Sequence, residues 1–120
     1  MKLNYKFPET LLPFYEKELK DFRLNLKSAE YQLAWRNLER AHIIGQAYPI
    51  QHSYVHWIML KFGFKIKNYK EVIGQIPRLM LGGVKSFVGQ IPVGNTGGAN
   101  VPPLLPMEIP DDLKQILAKA

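Results

Sequence analysis

The 120-residue chain contains no cysteine. Disulfide frameworks, zinc ribbons, thiolate nucleophiles and iron–sulfur ligation are excluded with it. No apolar run approaches the roughly 20 residues of a membrane span. The first residues, MKLNYKFPETLLPFYEK, hold no apolar stretch of the kind a secretory signal needs, so a cytoplasmic protein is the default expectation. Strand-like alternation does not persist anywhere in the chain. Acid is scarce in the second half: residues 61–107 carry six bases and a single acid, Glu71. Histidine is rare, with three in the chain.

What is present is a globular composition. Hydrophobic residues make up 47% and charged residues 22%, which is enough apolar material for a core and argues against a disordered chain. The length suits a single domain spanning 1–120. Sixteen bases against ten acids give a net charge of +6. Such a charge favours anionic partners in general without selecting one.

Apolar residues recur at helical spacing. Leu11, Phe14, Tyr15, Leu19, Phe22 and Leu26 form one stripe and predict a helix over about 10–26, with Pro13 tolerated in its first turn. A second helix is expected after Ser28, read as its N-cap, with Tyr31, Trp35, Leu38, His42 and Gly45 inward and an end before Pro49. Pro49 suits the first turn of a third helix, whose stripe is His52, Val55, His56, Met59 and Leu60, with Gly63 as C-cap. Asn68 and Glu71 have capping-box spacing and open a fourth helix. Its apolar contacts are Val72, Ile76, Leu79, Met80, Val84, Phe87 and Val88, and Pro77 is expected to kink it.

From Pro92 to Pro110 the chain holds five prolines and three glycines, which forbids a regular helix or a central strand. Val101, Leu104, Leu105, Met107 and Ile109 are too apolar for a free linker, so the segment is expected to lie across the helices. A short helix from Asp111 to about Lys119 closes the chain. The expected fold is therefore all-α: four main helices in two antiparallel hairpins, packed as in tetratricopeptide repeats, with a Pro/Gly-rich C-terminal arm over 91–120 that includes the last helix.

His42, His52 and His56 fall within fifteen residues. His52 and His56, four apart, share a helix face, which is how a helix presents two imidazoles to one ion. Pro49 lies seven residues after His42 and seven before His56, so a hairpin turning there brings the two level. Glu39 stands three before His42, giving the Glu-x-x-His form of helical di-metal proteins, although only one such motif is present. HExxH is absent, because Ser53 follows His52. The residues point to a divalent transition metal, with zinc, copper, nickel and iron all suited to it. His42, His52 and His56 would be ligands, and Glu39 a fourth ligand or a partner behind them. The alternative is an interaction module, binding a protein partner, whose histidines are structural and hydrogen-bonded. A general base would also need a pocket and a positioned partner, which the sequence does not display.

Two further features bear on partners. Gly94-Asn95-Thr96-Gly97-Gly98 has the composition of an anion-binding nest, with Asn95 and Thr96 as its polar side chains. No lysine follows as in a P-loop, so the turn reading competes with an anionic ligand. Trp57, Lys61, Phe62, Phe64, Lys65, Lys67, Tyr69 and Lys70 interleave rings with charge, as single-strand binders do, yet no nucleic-acid motif accompanies them. The basic, amphipathic stretch from Lys61 to Phe87 suits an anionic membrane surface to a similar degree.

The run Trp35-Arg-Asn-Leu38-Glu39-Arg40-Ala41-His42-Ile-Ile-Gly45-Gln46, then His52 and His56-Trp-Ile-Met59-Leu60, then Pro92-Val-Gly94-Asn95-Thr96-Gly97 and Pro106-Met107, resembles a small bacterial family of uncharacterised proteins. The likeness covers roughly Tyr31 to Leu113. It implies that Glu39, Arg40, His42, His52, His56, Asn95 and Thr96 belong to a family pattern, and it implies no activity. Arg40, two before His42, leaves the histidine face and is expected to meet the arm or an acidic partner.

Overall fold

The computed structural model describes residues 6–80, 96–99 and 107–120. Among them the regular structure is all helical: α1 (Leu12–Lys27), α2 (Tyr31–Gly45), α3 (Pro49–Lys65), α4 (Tyr69–Met80) and α5 (Asp111–Leu117). α1 packs on α2 and α3 on α4, consistent with two hairpins, while α2 also packs on α3 and receives α5.

Both hairpins turn by the same device. At the end of α1, the Glu30 N–H donates to the Asn25 carbonyl and the Ala29 N–H to Leu26. At the end of α3, the Asn68 N–H donates to Gly63 and the Lys67 N–H to Phe64. Each is a Schellman closure, with Ala29 and Lys67 in the left-handed region at φ 58°. Two sequence expectations are corrected here. Ser28 ends α1 instead of capping α2, because the left-handed turn at Ala29 puts Glu30 in the N-cap position of α2, two residues further on. Gly63 does not cap α3; the helix runs on to Lys65, and Gly63 lies inside it against the Val72 side chain. Asn68 caps α4 as expected, its Oδ1 accepting from the Glu71 N–H at 3.2 Å, but the reciprocal half of the capping box is not made, because the Asn68 N–H closes α3 on Gly63 and the Glu71 carboxylate turns to Gln75 and Ala99.

The link from α2 to α3 is different and is the one that builds the site. It is only Gln46-Ala47-Tyr48, closed by the Tyr48 N–H on the Gly45 carbonyl at 2.9 Å, with Pro49 opening α3. A side chain at Gly45 would place its Cβ 3.1 Å from Gln51 Cβ and 3.2 Å from the Tyr15 ring. Glycine therefore lets the start of α3 close down on the end of α2.

The α1 stripe is as expected: Leu11, Tyr15, Leu19 and Phe22 are buried, with Phe14 and Leu26 packed at the margin. Tyr31 and Ile76 were expected inward and are exposed. The Tyr31 ring leans toward Phe62 with centroids 6.0 Å apart, leaving its other face to water. On α4 the inward positions belong to Glu71, Val72 and Gln75, which turns Ile73 and Ile76 outward. The side chains of Leu79 and Met80, and all of Val84, Phe87, Val88, Val101, Leu104 and Leu105, lie outside the described residues.

A polar ladder runs through the first hairpin. Asn25 Nδ2 donates to Asn37 Oδ1 (2.7 Å), Asn37 Nδ2 to Glu18 Oε1 (3.1 Å), and Arg40 Nε to Glu18 Oε2 (2.9 Å). Arg40 also pairs with Asp112 at the start of α5, so it meets the C-terminal arm as its place on α2 implied. The guanidinium holds the Asp112 carboxyl below the usual aspartate range. Ile109, partly buried, packs on the core, and Leu113 enters it with no exposed surface.

Leu113→Ala should therefore cost about 2–5 kcal/mol, the range for truncating a fully buried leucine. A urea midpoint that stays in place would show that α5 does not contribute to the core.

Candidate metal centre

His42 sits in the last turn of α2, and His52 and His56 lie in the first half of α3. All three are buried, and they form the one group of convergent ligand atoms among the described residues. Their Nε2 atoms make a triangle: His42 to His52 is 2.9 Å, and His56 to each of the others is 3.1 Å. The rings are tilted by 58°, 77° and 86° to one another, so they meet by their nitrogens and not by stacking faces.

One tautomer follows from the partners. His56 Nδ1 lies 2.6 Å from Gln75 Oε1. The Gln75 Nε2 donates to the Gly97 carbonyl at 2.7 Å, which fixes the amide and leaves its oxygen toward His56. An amide oxygen only accepts, so His56 carries its proton on Nδ1 and turns a lone pair of Nε2 into the triangle. Gln75 Nε2 also reaches Glu71 Oε2 at 3.4 Å. Carboxylate, amide and imidazole thus stand in series, the kind of support that orients metal-binding histidines. A cavity of about 410 Å³ opens beside Glu71 and Ala99, with Trp35 and Lys70 on its wall.

Residues 96–99 lie over the cluster. Gly97 has φ +84°, and a Cβ there would stand 2.5 Å from His42 Cδ2. The Ala99 N–H donates to Glu71 Oε2 at 2.6 Å. In the described part of the glycine-rich loop, the anion received by backbone N–H is therefore the protein's own carboxylate. Thr96 hydrogen-bonds the Glu39 side chain. Asn95 lies outside the described residues.

Glu39 is half-buried and is not among the converging ligand atoms. Burial pushes its carboxyl above the ordinary glutamate range; the Thr96 hydrogen bond and Arg36 oppose this, and the charge of Glu71 adds to it. The sequence does not mark Gln75 and Glu71 as site residues, and marks Gly97 only as part of the glycine-rich loop. The available signal was weak: a glutamine on the otherwise apolar side of the fourth helix, four residues after Glu71.

The chain belongs to a family of proteins of unknown function, DUF3703, whose model matches residues 9–117. No curated protein and no solved structure matches it.

Two outcomes follow from this geometry. Gly97→Ala combines a strained backbone with a clash on His42 and should destabilise by about 1–3 kcal/mol in thermal or urea unfolding. For metal-free protein, the raised Glu39 carboxyl binds its proton more tightly when folded than when unfolded. Its contribution therefore falls as pH rises from the ordinary glutamate range through its own raised value, and the penalty is complete above that. Glu39→Gln should gain stability over the wild type as pH rises above the ordinary glutamate range. A difference independent of pH would show that burial does not govern this carboxyl.

Proposed function

We propose that the protein binds one divalent transition-metal ion through the Nε2 atoms of His42, His52 and His56. The observation that carries this is the size of the nitrogen triangle. An ion held by three imidazoles at about 2.0–2.1 Å spaces their nitrogens by roughly 2.9 Å for right-angled bonds and roughly 3.3 Å for tetrahedral ones. The separations of 2.9–3.1 Å fall in that interval. Hydrogen bonding accounts for the triangle less well. With His56 offering a lone pair, ring protons of His42 and His52 span at most two of the three edges, whereas a cation at the centre meets all three nitrogens.

The donor set narrows the metal class. Three neutral imidazoles suit zinc, copper, nickel or iron more than magnesium or calcium, which prefer oxygen. Glu39 and Glu71 supply negative charge around the cluster without belonging to it, which favours a dication. Each Nε2 faces the other two histidines, an arrangement that supports metal binding over a general base reaching for a substrate.

Elemental analysis of native protein and calorimetry with zinc, nickel and copper test the proposal. The wild type should bind one ion and melt at higher temperature with it, gaining about 2.7 kcal/mol when free metal is a hundredfold above Kd. The double change His52→Ala with His56→Ala should abolish both effects. Gln75→Leu should weaken binding by about 10–100-fold while all three ligands remain. A wild type that takes up no metal, with each His→Ala change costing only the ~1–3 kcal/mol of a lost buried hydrogen bond, would leave the histidines structural.

A further inference from the structure

α3 carries large apolar side chains on its exposed side as well as on the side its neighbours bury. Val55, Met59 and Phe62 are buried. On the other side Ile50, Tyr54, Trp57 and Phe64 follow one another at helical steps of four, three and seven, and each is about half exposed or more. Helices that are apolar on every side are normally enclosed on every side. Lys61 falls into the same stripe, its Nζ 5.6 Å from the centre of the Trp57 ring. No carboxylate occurs anywhere on α3. Beside the stripe a groove of about 270 Å³ runs between α1 and α3, with Phe22, Ile58 and Phe62 among its floor and Arg23, Lys61 and Lys65 as its charges. Its lining too holds no acid.

The charge identifies the occupant. Residues 1–5 carry Lys2 and no acid, and residues 81–106 carry Lys85 and no acid, so neither segment offers a counter-charge to Arg23, Lys61 and Lys65. A second copy, with its own net charge of +6, is repelled at long range. What fits is an extended apolar surface bounded by negative charge. We propose that this face of α3 lies on a bilayer containing anionic lipid. Ile50, Tyr54, Trp57 and Phe64 enter the boundary between headgroups and acyl chains, and Arg23, Lys61 and Lys65 meet phosphates. The stripe extends over fifteen residues of helix, about 20 Å at 1.5 Å per residue, which is the footprint of a surface-lying helix. Tryptophan, tyrosine and lysine are the side chains that settle at that depth, the lysine stem along the apolar side and its ammonium in the headgroups. Among the described residues no helix is long and apolar enough to cross the membrane, so the contact is peripheral. A nucleic-acid strand would use the rings and the charges but give Ile50 no partner.

The test uses the full chain and vesicles of phosphatidylcholine with and without phosphatidylglycerol. Sedimentation should show binding to the anionic vesicles, weakened by salt, and little to the neutral ones. The chain has two tryptophans, so Trp35→Phe leaves Trp57 as the sole reporter. Its emission should shift to the blue and be quenched by brominated acyl chains. Lys61→Glu with Lys65→Glu should bind roughly tenfold more weakly or worse, at about 1 kcal/mol per basic residue at such a surface. Trp57→Ser should lose binding while both variants keep the wild-type circular dichroism. Failure to sediment with either vesicle overturns the proposal. So does equal binding to both vesicles, a lipid-free dimer that buries Trp57, or binding to a single-stranded oligonucleotide that displaces vesicles. None of these outcomes depends on the histidine cluster, which lies on the opposite, buried side of the helix.

Discussion

The link between α2 and α3 is three residues long, and the histidine cluster is a consequence of it. A helix ending at Gly45 and another beginning at Pro49 must cross close to their junction. His42, three residues before that end, and His52, three residues after that beginning, have little choice but to share a volume. His56, one turn further along α3, closes the triangle. Three imidazoles in such a space are costly when each must find its own hydrogen bond, because a buried polar nitrogen left unmatched loses its hydration without compensation. The surrounding polar groups are arranged as though to limit that cost: Gln75 fixes one tautomer, and Glu71 and the Gly97 carbonyl fix Gln75.

The two hairpins handle buried polarity at corresponding positions. Glu18 and Asn37 face each other across α1 and α2, and His56 and Gln75 face each other across α3 and α4. Each member of the second pair lies 38 positions after its counterpart, as Lys67 does after Ala29 at the two turns. In the first hairpin an acid is answered by Arg40, which ties it to α5. In the second the acid's place holds an imidazole, and two more imidazoles answer it. One repeated layout thus yields an internal ion pair on one side and an imidazole cluster on the other.

Much of this was legible in the sequence because it rests on local rules. Helical spacing located the α1 stripe, and the turn expected at Pro49 folds His42 back onto the α3 histidines, although the link at 46–48 sets it opposite His52, with His56 one turn further on. The failures have a common cause. Ser28 and Gly63 have the composition of caps, but the left-handed residue that terminates each helix is Ala29 or Lys67, and neither residue type announces that conformation. Ile76 is apolar and in phase, yet it points outward because Glu71 and Gln75 are drawn inward by partners on α3 and the arm. Those partners are distant in sequence, and no local pattern names them. Spacing groups Glu39 with the histidines, and in three dimensions its carboxylate hydrogen-bonds Thr96 of the arm.

The order in which these contacts can form is set by their separation along the chain. The histidines meet across 14 positions or fewer, inside a stretch that needs only α2 and α3. The piece that covers them comes from far away, Gly97 reaching Gln75 across 22 positions, and the C-terminal tie of Asp112 to Arg40 spans 72. Contacts of long separation bear a larger loop-closure entropy and are the slower to arrive. A chain emerging from its N-terminus can therefore bring the three imidazoles together before residues 96–99 exist to lie over them.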